Sequence, residues 1–393
     1  MKTESEHHLA IVNHRFETMM TSLFEANELM GRETPGLITY EDSEQGYARR
    51  ELLIVEKQAI ENRQRAEMTQ QAYVDAVRND FHKQLLGRLE TEIRLPGAIF
   101  SDWLGLSNSV PELLDLLSVK ACTIPRIEPL VARIPWMYPE LLKIVNAPQH
   151  RRKDSRGKVI IVETLRAALS FINIENLQLI IPTLVFRRCI PQITDPYPEI
   201  KQHIWHYALS VALTNRYLAP FYKIRANDAY VLGLLQALGR NAVTRIYFKL
   251  FERLQREALE KAQANKKRDL HDALTQITPS NNFLSALWND YADIVTAEIL
   301  QYMKFKRLGV SAAMQSIASA TVAKDALPLA QLTERSRWYA KYRMLKASKL
   351  LDNSDANCLI RATALDKPKV LALNRIDLRH LPLNFSSSLD ELE

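Results

Sequence analysis

Residues 204–219 read IWHYALSVALTNRYLA, and residues 229–240 read AYVLGLLQALGR. Apolar side chains recur through both at helical intervals, and neither contains a proline, which is the pattern of helices packed into a core. The same spacing extends outward over residues 95–255, with prolines at 111, 125, 135, 148, 182, 191, 196, 198 and 220 as the expected breaks between helices. Only 10 glycines occur in 393 residues, roughly a third of the usual share, which leaves few of the tight turns that β-rich folds need. The expected fold class is all-α.

A chain of this length with 47% hydrophobic residues has the material for two or three domains and a sizeable core. The cysteines, Cys122, Cys189 and Cys358, form no close pair, so neither a C-x-x-C metal site nor a local redox motif is available, and a reducing cytoplasm is expected. The N-terminus, MKTESEHHLAIVNHRF, places acidic residues and histidines before any apolar run, unlike a secretion signal. The most apolar stretch, residues 177–186, is far short of the roughly 18 residues a membrane span needs, and reads as a core helix.

Charge divides the chain into three. Residues 1–94 carry a net −5, residues 95–320 a net +9 and residues 321–393 a net +3. An acidic N-terminal arm beside a basic middle suggests anionic partners or an arm held electrostatically on its own core; a merely solvated surface is the plain alternative. A helix is expected around residues 11–30, then a loop at GRETPGLITYEDSEQG. From 47 to 94 polar helix formers run without proline to the RLPG stop at residues 94–97, giving one long helix or two nearly continuous ones. Val55, Ala59, Ala66, Tyr73 and Ala76 partly follow a 3.5-residue seam, but Asn62 and Thr69 interrupt it. Homodimerisation through the 47–94 helix is therefore weighed against packing on its own domain. Residues 255–272 read as a polar, solvent-facing helix or excursion, and residues 283–305 as an amphipathic helix returning to the core.

The region 131–147, VARIPWMYPELLKIVNA, resembles a block of the HDOD domain, a bacterial output domain related to the HD phosphohydrolases, with Pro135, Leu141, Leu142 and Asn146 at matching positions. Residues 168–173, ALSFIN, are similar to the family's AIxxLG, with Asn173 replacing the glycine; Asn is the residue that best tolerates a left-handed backbone after Gly. Residues 204–209 resemble LWxHSL, but the family's His column falls on Tyr207, and His206 stands one residue early, about 100° away around a helix. GLLQALGR, residues 233–240, is similar to the HD pattern GLLHDIGK, with Gln236 and Ala237 in place of the His-Asp pair. Trp288, Ile294 and Val295 resemble the terminal helix.

The resemblance implies an HDOD-like domain over residues 95–305 between an N-terminal helical region (1–94) and a C-terminal helical extension with a loose acidic tail (306–393). It also implies signalling through protein contacts. An amide is a poor ligand for a divalent metal and Ala is none, so with Tyr207, Gln236 and Ala237 at three ligand positions the metal-activated water has lost its basis. No catalytic residue, metal or cofactor is expected. His203 and His206, three residues apart, are the one fallback metal pair, lacking a third ligand; a divergent metal-dependent phosphohydrolase using them is the alternative enzyme reading. No P-loop, H-E-x-x-H or G-x-S-x-G motif occurs.

Two basic segments offer a nucleotide or nucleic-acid reading. Residues 335–349, RSRWYAKYRMLKASK, interleave basic side chains with Trp338, Tyr339 and Tyr342, yet Trp338, Tyr342 and Leu345 share a helix face, which points to packing instead. Residues 150–158, HRRKDSRGK, read as a basic loop between helices.

Overall fold

The structure is a computed structural model that describes residues 4–32, 54–119, 121–150, 161–320 and 326–383, all of them helix or connection with no strand among the described residues. The basic run 150–158 falls outside them from residue 151 onward, as does the acidic tail from residue 384.

Two helices precede the central region, α1 (Glu4–Thr21) and α2 (Leu23–Glu28), followed by the long α3 (Ile54–Ile93). The central region runs through α4 (Ser109–Leu117), α5 (Ile124–Ala132), α6 (Met137–Val145), α7 (Leu165–Ile172), α8 (Ile174–Cys189), α9 (Ile200–Leu218) and α10 (Ala226–Leu235). It closes with α11 (Leu238–Ala264), α12 (Arg268–Thr275) and α13 (Asn281–Tyr302). The C-terminal part adds α14 (Val310–Ala318), α15 (Pro328–Ala347), α16 (Asn353–Ala362) and α17 (Lys367–Asn374). No single helix among the described residues is long and apolar enough to cross a membrane.

At the centre α9 lies against α10 and α15, and α11 against α13. The two glycines of GLLQALGR make these approaches possible. A Cβ on Gly233 would stand 2.4 Å from Cα of Ala212 in α9, and one on Gly239 would stand 2.0 Å from the carbonyl oxygen of Ala292 in α13. Real Cβ atoms do not come that close, so these backbones touch only because the side chains are absent. Gly239 N–H donates to Oγ1 of Thr296 at 2.8 Å, fixing the start of α11 on α13.

Two expectations need correction. Pro182 does not break a helix: α8 continues through it, and its neighbours Ile181 and Thr183 are buried on either side. Packing around the whole circumference outweighs the roughly 3 kcal/mol that an interior proline costs. The seam proposed for residues 47–94 is also displaced. Tyr73 and Ala76 face solvent, whereas Val74, Phe81, Leu85, Leu89 and Ile93 are buried. The neighbouring stripe, apolar over Phe81, Leu85, Leu89 and Ile93, takes the core, with Phe81 against Phe251 at 4.9 Å and Arg88 paired to Glu257 at 2.7 Å, so this part of α3 lies on its own fold. The side chains of the seam's first half lie outside the described ones. Asn173 adopts φ 62 between α7 and α8, as the exchange for glycine requires, and its side chain accepts from the Asn176 N–H at 2.9 Å.

Both flanks share the core. One contiguous apolar cluster runs from Val12 in α1 to Leu378 beyond α17. Arg15 of α1 donates to the Asp355 carboxylate of α16 at 2.5 Å, tying the two ends of the chain together in a buried pair.

Candidate functional site

Tyr207, Gln236 and Ala237 line one cavity of about 230 Å³, together with residues from α1, α13 and α15. The three positions that the resemblance aligns with metal ligands, called the altered site below, therefore meet in space as well as in pattern. His206 does not join them. One residue away on α9 it faces a different groove, as the 100° offset predicts.

What fills the altered site is charge. From the first turn of α11, Arg240 makes a two-pronged contact with Glu17 of α1, at 2.6 and 3.1 Å. From α15, Arg337 makes another with Asp293 of α13, at 2.9 and 2.7 Å, and its Nε donates to Oε1 of Gln236 at 2.9 Å. Arg337 also meets Glu334 at 2.9 Å, and Lys341, one turn further along α15, lies 3.7 Å from Glu17. The Arg240 guanidinium sits over the Trp288 ring at 4.5 Å and the Tyr207 ring at 5.7 Å, so its faces are covered as well as its edge.

Electrostatics follow from this arrangement. Burial pushes the Glu17 carboxyl up, but Arg240 and Lys341 outweigh it and hold the group below its ordinary value. Burial likewise raises Asp293, and Arg337 overrides it to the same net effect. The Tyr207 phenol is driven upward by burial and stays protonated. Glu17 and Arg240 are both charged at neutral pH and shielded from water, whereas the Asp293 and Glu334 side chains at the outer side of the site are partly exposed.

These residues do not fit a divalent metal. The oxygens of Glu17 and Asp293 face guanidinium groups, the Gln236 oxygen is taken by Arg337, and Ala237 has nothing to offer. Three cationic side chains converge where a dication would have to sit. No cluster of three or more His, Cys, Asp or Glu suited to a metal occurs among the described residues.

His203 and His206 line a groove of about 630 Å³ between α9, α15 and the residues after α17, in the company of Arg343, Arg375 and Arg379. Nδ1 of His203 faces the Met20 carbonyl at 3.3 Å. Burial lowers both imidazoles from their ordinary values, and at His206 the nearby charges of His203, Arg379 and His380 lower it further.

The segment 335–349 packs. Tyr339, Tyr342 and Leu345 are buried and Trp338 partly so, which removes the aromatic platform that a strand of nucleic acid would stack on. Its basic residues divide, with Arg337 and Lys341 turned into the altered site and Arg343 donating to the Leu373 carbonyl at 3.0 Å. Sequence reasoning missed Glu17, Asp293, Arg337 and Lys341. Arg337 and Lys341 did carry a signal, an i,i+4 pair of cations on the buried side of an otherwise amphipathic helix.

A model of the HDOD domain family matches residues 105–289. No curated protein and no solved structure matches the chain.

Proposed function

Residues 105–289 of this chain are an HDOD domain, and we propose that the protein is a non-catalytic regulator of bacterial signal transduction, acting in the cytoplasm through protein contacts. The observation that carries this reading is the pair of arginines at the altered metal site. Ligand loss alone would leave a hole. Here the positions of the lost ligands are bridged by Arg240–Glu17 and Arg337–Asp293, which join α11 to α1 and α15 to α13. The place where a related hydrolase would activate water serves in this chain as a clasp between the domain and its flanks. The Arg240–Glu17 pair is buried, whereas the Asp293 side chain of the other pair is 42% exposed; a buried pair specifies one arrangement of helices more than it adds net stability. A partner that competes for either flank would therefore act on the geometry of the whole domain. Free, unbridged Cys122 and Cys189 in the interior support a reducing compartment.

The test is metal content and turnover. Tag-free protein, dialysed against manganese, iron and zinc in turn and then desalted, is expected to carry well under one metal per chain by elemental mass spectrometry and to leave phosphodiester substrates uncleaved. Restoring the motif with Gln236→His and Ala237→Asp is expected to add no metal, because Arg337 and Arg240 remain. Stoichiometric metal together with a phosphodiesterase activity abolished by His203→Ala or His206→Ala would overturn the proposal in favour of a divergent hydrolase.

A further inference from the structure

A second concavity, of about 820 Å³, lies between α4, α5 and the turn that follows α13, and shares no lining residue with the altered site. Its volume is that of a small-molecule pocket. Arg126, Arg133, Lys304, Lys306 and Arg307 line it. All five side chains are exposed, and none has an ion-pair partner among the described residues. That sets them apart from the cations of the altered site, every one of which has an anion.

Two acidic residues share the lining, Glu112 and Asp115. Asp115 is committed to the backbone, where its carboxylate accepts from the N–H groups of Lys306, Arg307 and Leu308 at 2.5, 3.0 and 3.0 Å. The carboxylate thus folds the turn against α4 while the side chains of Lys306 and Arg307 remain unpaired. Arg225 adds a further restraint by donating to the Arg307 carbonyl at 2.7 Å. Concentrating like charge on a turn costs stability, and here the turn is held by contacts to its backbone and by Met303 and Leu308, which are buried in the core, while its cations make no ion pair among the described residues. At the mouth, Tyr302 is 41% exposed and backed by Phe100 at 5.5 Å, leaving its hydroxyl available as a donor.

We propose that this cleft binds a small ligand carrying two or more closely spaced phosphate groups. Arginine forks match phosphate oxygens in two-pronged fashion, and lysines add point charge. Five cations around one concavity suit a compact polyanion better than a peptide, whose carboxylates are spread along an extended chain. The inference goes beyond the regulatory reading and does not depend on it, since it concerns a different site.

The experiment is calorimetric titration of the full-length protein with inorganic pyrophosphate at 20 mM and 300 mM sodium chloride, with ADP and a short poly-glutamate as parallel ligands. Pyrophosphate is expected to bind at low salt and to weaken at least about tenfold at high salt as the charges are screened. Arg133→Glu and Lys306→Glu, each checked for an unchanged melting temperature, are expected to weaken it at least about tenfold. Arg375→Glu, in the His203 groove, is expected to leave it unaltered. Absence of binding at low salt, binding that survives both charge reversals, or tighter binding of poly-glutamate than of either phosphate ligand would each overturn the assignment. ADP binding with the same variant profile would identify the phosphates as the recognised group.

Discussion

Replacing Glu17 with Gln removes one charge from the clasp and leaves two behind. Arg240 and Lys341, with side chains 10% and 13% exposed, would then face each other in the same cavity without their anion. Breaking a buried pair from one side costs about 3–5 kcal/mol, because the surviving charge can neither return to water nor find a partner. The unfolding entropy of a 393-residue chain is about 0.8 kcal/mol/K, so a loss of about 4 kcal/mol lowers the melting temperature by about 5 °C if the chain melts as one unit. The double variant Glu17→Gln/Arg240→Met removes one charge from each side and leaves Lys341 as the one cation of the pair-and-lysine group without its anion, so part of the loss should return. Differential scanning calorimetry of wild type, both single variants and the double variant gives the coupling directly, expected at about 2 kcal/mol or more. A Glu17→Gln protein that melts within 1 °C of wild type, or a double variant whose losses simply add, would refute the clasp. The pair also titrates. Because Glu17 is held below its ordinary value of 4.5, its contribution is fully present above that pH and is lost as acid protonates the folded carboxylate, and Glu17→Gln should flatten the acid limb of stability.

Glycines offer a sharper contrast. Gly239→Ala and Gly233→Ala drive a methyl into Ala292 and Ala212 respectively and should cost at least about 1–3 kcal/mol by thermal melting. Gly87→Ala, on α3 with nothing within 4 Å of the new Cβ, should raise stability by about 0.5–1 kcal/mol. His203 and His206 are held below their ordinary 6.5 by burial, so the unfolded chain takes up protons first. Stability is then full above about pH 6.5 and declines as pH falls toward the folded values. Melting curves of His203→Gln/His206→Gln between pH 7.5 and 5.5 should be flatter than wild type, and an identical slope would count against their burial.

The all-helical class was legible in the scarcity of glycine and in the apolar spacing, and the family in five short blocks whose order survives although single residues do not. Tyr207, Gln236 and Ala237, grouped by the pattern, line one cavity because a helix converts sequence offset into direction. Glu17 and Arg337 were not, since an ion pair spanning 223 residues (Arg240 to Glu17) leaves no periodic trace in either segment. The cleft at Lys304–Arg307 was missed for the same reason, for its cations are gathered from α5 and a turn far along the chain. The α3 seam was weak in the sequence, broken at Asn62 and Thr69, and in the described half of the helix the stripe that packs is the one carrying Phe81, Leu85, Leu89 and Ile93 without a polar interruption.

Inheritance and folding draw different borders in this chain. The stretch that marks its kinship ends at residue 289, yet Arg240, well inside it, meets its counter-charge on residue 17, and the carboxylate of Asp293 waits for an arginine at 337. Excised at the border of kinship, the module would carry an orphaned guanidinium in its interior and bare the faces that α1 and α15 now cover. It cannot be lent to another protein as a cassette, and any graft would have to bring both neighbours along.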